Sequence, residues 1–231
     1  MNDLHVLSGG AAQGLVAALR ETFRAETGAN MHGTFGAVGT MRARLLAGER
    51  CDVIILTAAI IDALESEGRV LAGTQATLGR VRTGVAVRAG AVSPVIDDGA
   101  TLRAALIAAT GIYFPDPELA TAGIHFVKVL GQLGIKDEVG PRLKPFPNGA
   151  AAMQELARST EPTPLGCTQI TEIKYTPGVA LVGPLPAEFE LATVYTGAVC
   201  AGARSGDLAR DFLRMLCGPA AQTLREDSGF E

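Results

Sequence analysis

Basic charge is not in excess in this 231-residue chain: 20 Lys and Arg stand against 24 Asp and Glu, for a net charge of −4 and a pI near 5.5. That leaves no basic stripe for nucleic acid or an anionic membrane surface, and neither is expected as a partner. The four cysteines, Cys51, Cys167, Cys200 and Cys217, show no CxxC or metal-finger spacing, and the first three lie in apolar runs. They are expected as buried free thiols. The three histidines, His5, His32 and His125, also lack metal-ligand spacing, so no metal and no other cofactor is expected. No apolar run reaches the length of a membrane span. Complete GxGxxG, P-loop and GxSxG patterns are absent, which argues against a nucleotide fold and a serine hydrolase. The opening residues, MNDLHVLSGG, have neither the basic start nor the long apolar core of a signal peptide. As written the chain reads as cytoplasmic, or as periplasmic if a leader has been removed.

What is present is the material of an α/β protein. At 48% hydrophobic residues, the chain can bury one large or two modest cores, and 28 Gly and 12 Pro supply many tight turns. Strands are predicted over 4–8, 30–35 and 52–57, each followed by a helix, over 11–25, 38–46 and 58–67. Gly28, Gly48 and Gly68 stop these helices. Three successive βα units imply a parallel sheet covered by helices. Two long strand-like runs, 78–90 and 189–202, bracket further alternation: helices over 102–109, 122–133 and 150–157, and strands over 111–114 and 165–169. Helices over 207–216 and 219–227 end the chain. The pattern implies two lobes joined by two crossing segments, with residues 1–80 plus 200–231 in one lobe and 81–199 in the other. Ligands of open α/β sheets sit outside the carboxyl ends of the strands, so a cleft between the lobes, closing about a hinge, is the expected site.

Four stretches, HVLSGGAAQGLVAALRETFRAETG, TFGAVGTMRARLLAGERCDVIIL, DPELATAGIHFVKVLGQLG and PLGCTQITEI, resemble successive segments of the molybdate-binding proteins. These belong to the type II periplasmic solute-binding proteins, and the resemblance spans nearly the whole chain in order. It implies the two-lobed α/β type II periplasmic-binding-protein fold with two crossover segments. It also implies a small anion held by helix N-termini and a few hydroxyls. The family's two ligating serines fall at Ala11 and Val38, and its tyrosine after the last cleft strand falls at Gln169. The small backbone donor before Gly123 persists as Ala122, and that of the fourth loop falls near Gly149.

The first N–H groups of a helix have no intrahelical partner and, with the helix dipole, attract anions. The candidate cradle is therefore Ser8, Gly9, Gly10 and Ala11; Ala37, Val38, Gly39 and Thr40; Thr121, Ala122 and Gly123; Asn148 and Gly149; and Gln169. Replacing two hydroxyls by apolar groups shifts the expected ligand from molybdate toward an organic di- or tricarboxylate. Ser8, Thr40, Asn148, Thr168, Gln169 and Thr171 are the polar side chains available to it, and each is equally suited to capping a helix or closing a turn. Arg80 and Arg82 on the first crossing segment are expected at the surface. His125, less than a turn beyond Gly123, is the candidate general acid or base, but it shares a helical stripe with Lys128 and Gln132, as a solvated residue would. Two readings stay open. One is a cytoplasmic enzyme resembling aconitate isomerase, which moves a proton next to a carboxylate. The other is the binding component of an ABC importer, whose partner is a membrane permease.

Overall fold

The computed structural model describes Asp3–Glu231. Its strands are β1 (Asp3–Gly9), β2 (Asn30–Gly36), β3 (Val53–Thr57), β4 (Ala76–Arg88), β5 (Gly111–Pro115), β6 (Leu143–Phe146), β7 (Pro164–Gln169), β8 (Val179–Pro184) and β9 (Ala192–Val199). Its α-helices are α1 (Gln13–Thr27), α2 (Val38–Leu46), α3 (Ala58–Ser66), α4 (Gly99–Ala108), α5 (Thr121–Gln132), α6 (Lys136–Val139), α7 (Gly149–Arg158), α8 (Ile170–Tyr175), α9 (Gly206–Cys217) and α10 (Gln222–Ser228). Among the described residues no helix is long and apolar enough to cross a membrane.

The chain divides into two compact units, one formed by the chain up to Val81 together with Thr193–Glu231, the other by Arg82–Ala192. In the first, β2, β1 and β3 lie side by side in parallel, and β9 joins β3 antiparallel with Val53 opposite Val199. From Thr193 on, β9 belongs to this unit. β1 and β3 are largely buried because helices cover the sheet; β3 is accordingly a near-continuous apolar run, while Asp3, His5 and Ser8 interrupt β1. The buried stripe of α1, Leu15, Val16, Leu19 and Phe23, packs toward this sheet and toward α9, where Phe23 meets Phe212 edge to face at 5.5 Å. Each such side chain contributes about 1.5–3 kcal/mol of burial. Gly28 ends α1 in the left-handed region at φ 68°, a conformation that costs glycine nothing.

In the second unit β4 is flanked by β7 and β8, both antiparallel to it, and the order continues β7, β5, β6 in parallel. Its core has two parts, one around Phe114, Phe126 and Leu130, the other around Met153, Leu156 and Ile173. All four cysteines are free thiols; Cys51, Cys167 and Cys200 are buried and Cys217 is partly so.

Candidate functional site

In the first unit, β1, β2 and β3 run in parallel directly into helices, so three helix starts lie at one end of the sheet. Gly9 leads into a 3-10 turn, Gly10–Ala12, that precedes α1; Ala37 leads into α2 and Thr57 into α3. None of the three is capped by a side chain. In α2 the first helical bond runs from Met41 N–H to the Ala37 carbonyl at 3.0 Å, leaving the N–H groups of Val38, Gly39 and Thr40 without an intrahelical acceptor. The first two starts are in contact: a Cβ on Gly9 would stand 2.9 Å from Val38 Cγ1 and 3.1 Å from Tyr195 Cε1, so glycine is required there by close approach. Ala11 and Val38 are buried, and neither side chain carries a hydroxyl. Ser8 is fully buried, and its hydroxyl donates to the Gly9 carbonyl at 2.9 Å. Thr40 is half-buried in the first turn of α2. The third start, at Thr57 and Ala58, is absent from the residues singled out by sequence, although the third βα unit that signals it is plain in the pattern.

In the second unit, Ala120 caps α5 without a side-chain bond, and the first helical bond is from Ile124 N–H to the Ala120 carbonyl at 2.9 Å. Thr121, Ala122 and Gly123 therefore carry open N–H groups. Gly123 is pressed against the end of β5 so closely that a Cβ would overlap the carbonyl oxygens of Pro115 and Asp116. The start of α7 is different, because it is already occupied. Asn148 accepts from Ala151 N–H at 2.9 Å, and the N–H groups of Gly149 and Ala150 donate to the carboxylate of Glu172. That carboxylate also accepts from the Thr168 hydroxyl at 2.5 Å and from Gln169 N–H. Burial pushes the Glu172 pKa up, against the opposing pull of these four donors. Sequence reasoning missed Glu172. An acid at the third position of α8, reaching back to the N–H before the helix, is the half of a capping box that marks it.

Beside Glu172 lies a set of polar atoms with nothing to bond. Gln169 is 3% exposed, and both atoms of its side-chain amide lack a partner. The hydroxyls of Thr83 and Thr171, 1% and 4% exposed, lack one too. Thr83 pairs with Gln169 across β4 and β7, and directly opposed residues share a face with their Cβ atoms about 4.5–5.5 Å apart. Buried polar atoms of this kind are normally satisfied, so a bound group or water belongs here. His125, by contrast, is committed: its Nε2 lies 2.7 Å from the Phe189 carbonyl. Arg80 pairs with Glu231 at 3.3 Å and Arg82 with Glu190 at 4.0 Å.

The chain is 27% identical to the aconitate isomerase of Pseudomonas sp over 243 aligned residues, covering all of this chain and 88% of that protein. It is 25% identical to the molybdate-binding protein ModA of Escherichia coli K12 over 210 residues, 90% of this chain and 80% of that one. The periplasmic molybdate-binding protein of Azotobacter vinelandii superposes with a TM-score of 0.81, covering 99% and 98% of the two chains; at 20% identity this speaks for the type II periplasmic-binding-protein fold alone. The family model described as bacterial extracellular solute-binding protein matches residues 4–231, and the chain belongs to that family.

Proposed function

We propose that this solute-binding protein takes a small organic anion, a di- or tricarboxylate, in preference to molybdate. The observation that carries the reading is the Gln169 amide, buried with both its donor and its acceptor unpartnered. Fully ionised oxoanions and carboxylates alike only accept hydrogen bonds, and so satisfy the Gln169 amide N–H groups but not Oε1; an organic acid that also bears an O–H satisfies both ends. Open N–H groups at the start of α5, in the same unit as Gln169, are donors for negative charge without a cationic side chain. In the first unit, the apolar side chains of Ala11 and Val38 beside the open start of α2 suit carbon as well as oxygen.

The likeness to aconitate isomerase favours a second reading, in which the bound acid undergoes migration of its double bond. That chemistry needs a base; Glu172 is held by four donors, and His125, whose Nε2 bonds the Phe189 carbonyl, offers Nδ1 alone. The binding reading, with a membrane permease as partner, therefore comes first. The family's extracellular character and the periplasmic relative support work in the periplasm, and neither supports the cytoplasmic expectation.

A thermal-shift panel of oxyanions and carboxylic acids tests the ligand class. A bound acid at a hundredfold its dissociation constant should stabilise the chain by about 2.7 kcal/mol, with molybdate and tungstate giving little shift. Submicromolar molybdate binding by calorimetry would overturn the preference. Proton NMR of cis- and trans-aconitate incubated with the protein separates the two readings. Binding without interconversion is the expected outcome, and turnover would establish the isomerase.

A further inference from the structure

Asp3, His5 and His32 come together at the end of the first unit's sheet opposite its helix starts. β1 and β2 pair in parallel with His5 opposite His32, and the two-residue period of a strand sets Asp3 on the same face as His5. The two imidazoles stack with centroids 4.9 Å apart and planes 24° from parallel. His32 Nε2 lies 3.7 Å from Asp3 Oδ2, and the other oxygen, Asp3 Oδ1, is buried with no partner. One ligand atom from each of the three residues lies within 4.8 Å of the other two. Four residues of strand, about 13 Å, separate His5 from Gly9, so this cluster is independent of the anion-binding loops.

We propose that Asp3, His5 and His32 form a binding site for a divalent transition-metal ion of the zinc, cobalt or nickel class. Two imidazole nitrogens and one carboxylate oxygen are a borderline donor set, suited to these ions and poorly suited to calcium or magnesium, which prefer oxygen throughout. With metal–ligand bonds of about 2.0–2.2 Å, tetrahedral ligands stand roughly 3.3 Å apart. Drawing the three atoms in to that spacing takes a rotamer adjustment, and the half-exposed His32 is free to make it. The Arg50 guanidinium, 3.4 Å from the Asp3 backbone carbonyl, opposes a cation here. A bound ion would tie the outer strand β2 to β1.

The full-length protein, stripped by chelator, is titrated with Zn²⁺ by calorimetry and with Co²⁺ by visible absorption. One equivalent of Zn²⁺ should bind, Co²⁺ should show d–d bands, and the thermal midpoint should rise with either ion. His32→Gln alters an exposed side chain and should leave the circular dichroism unchanged while weakening Zn²⁺ at least ~10-fold; Asp3→Asn should weaken it as well. Wild-type protein that binds no Zn²⁺ at millimolar concentration, or variants that bind it with wild-type affinity, would overturn the site.

Discussion

Glu172→Ala is expected to lower the thermal midpoint by on the order of 10 °C, from a loss of about 3–5 kcal/mol. The substitution strands the Thr168 hydroxyl and the N–H groups of Gly149, Ala150 and Gln169, all aimed at one carboxylate that is 5% exposed. Each buried donor left unmade costs about 1–3 kcal/mol, reduced where water enters the space the side chain vacates. The pH dependence has a definite sign. Burial raises the folded pKa of Glu172 above its ordinary 4.5, so the folded chain keeps this proton to higher pH than the unfolded chain does. Its contribution to stability is therefore full below about pH 4.5 and declines as pH rises through the raised value. The deficit of Glu172→Ala should be larger at pH 4 than at pH 8, as measured by denaturant melts at both. A deficit that grows with pH would mean that the amides hold the ion strongly enough to outweigh burial.

Local pattern made the first unit legible and, in the second, α4, β5, α5, α7 and β7, while the short β6, α8 and β8 went unread. The strand over Val53–Thr57 and the helix over Val38–Leu46 follow from a continuous apolar run and from a helical stretch stopped at Gly48, both signals contained in a few residues. β6 was missed because Leu143–Phe146 is a half-exposed edge strand carrying Lys144 and Pro145, which blunt an edge and erase the alternation that reveals a strand. α8 was missed because six residues give too few turns for a period to show. Non-local pairing hid the chemistry. His5 and His32 look unrelated at a separation of 27 residues until the register of β1 and β2 sets them face to face. Asn148 and Gly149 look like open donors until Glu172, arriving from another helix, takes the Gly149 N–H and the Asn148 side chain turns to cap its own helix. Gln169 was found by resemblance; only burial shows that its amide is unpaired.

Gly10→Pro should weaken binding of the best acid from the thermal-shift panel by ~10–100-fold while leaving the chain folded. An N–H donated to a charged ligand is worth about 1.5–3 kcal/mol, and proline removes it. The backbone is already prepared for the ring: Gly9 sits at φ −56°, ψ 146°, the extended conformation that a residue before proline prefers, and Gly10 is the first residue of its helical turn, where proline is tolerated. Gly39→Pro is the harsher variant. Its preceding residue is Val38, the first residue of α2, and proline would push that β-branched side chain out of the helical region. Circular dichroism should therefore be unchanged for Gly10→Pro and weakened for Gly39→Pro, with binding reduced in both. Gly39→Ala keeps the N–H on a residue that is not among the positive-φ glycines, and should bind nearly as well as wild type. A folded Gly10→Pro protein with unchanged affinity would mean that the open helix starts of the first unit hold no ligand, and that their glycines serve only the close approach of Gly9 to Val38 and Tyr195.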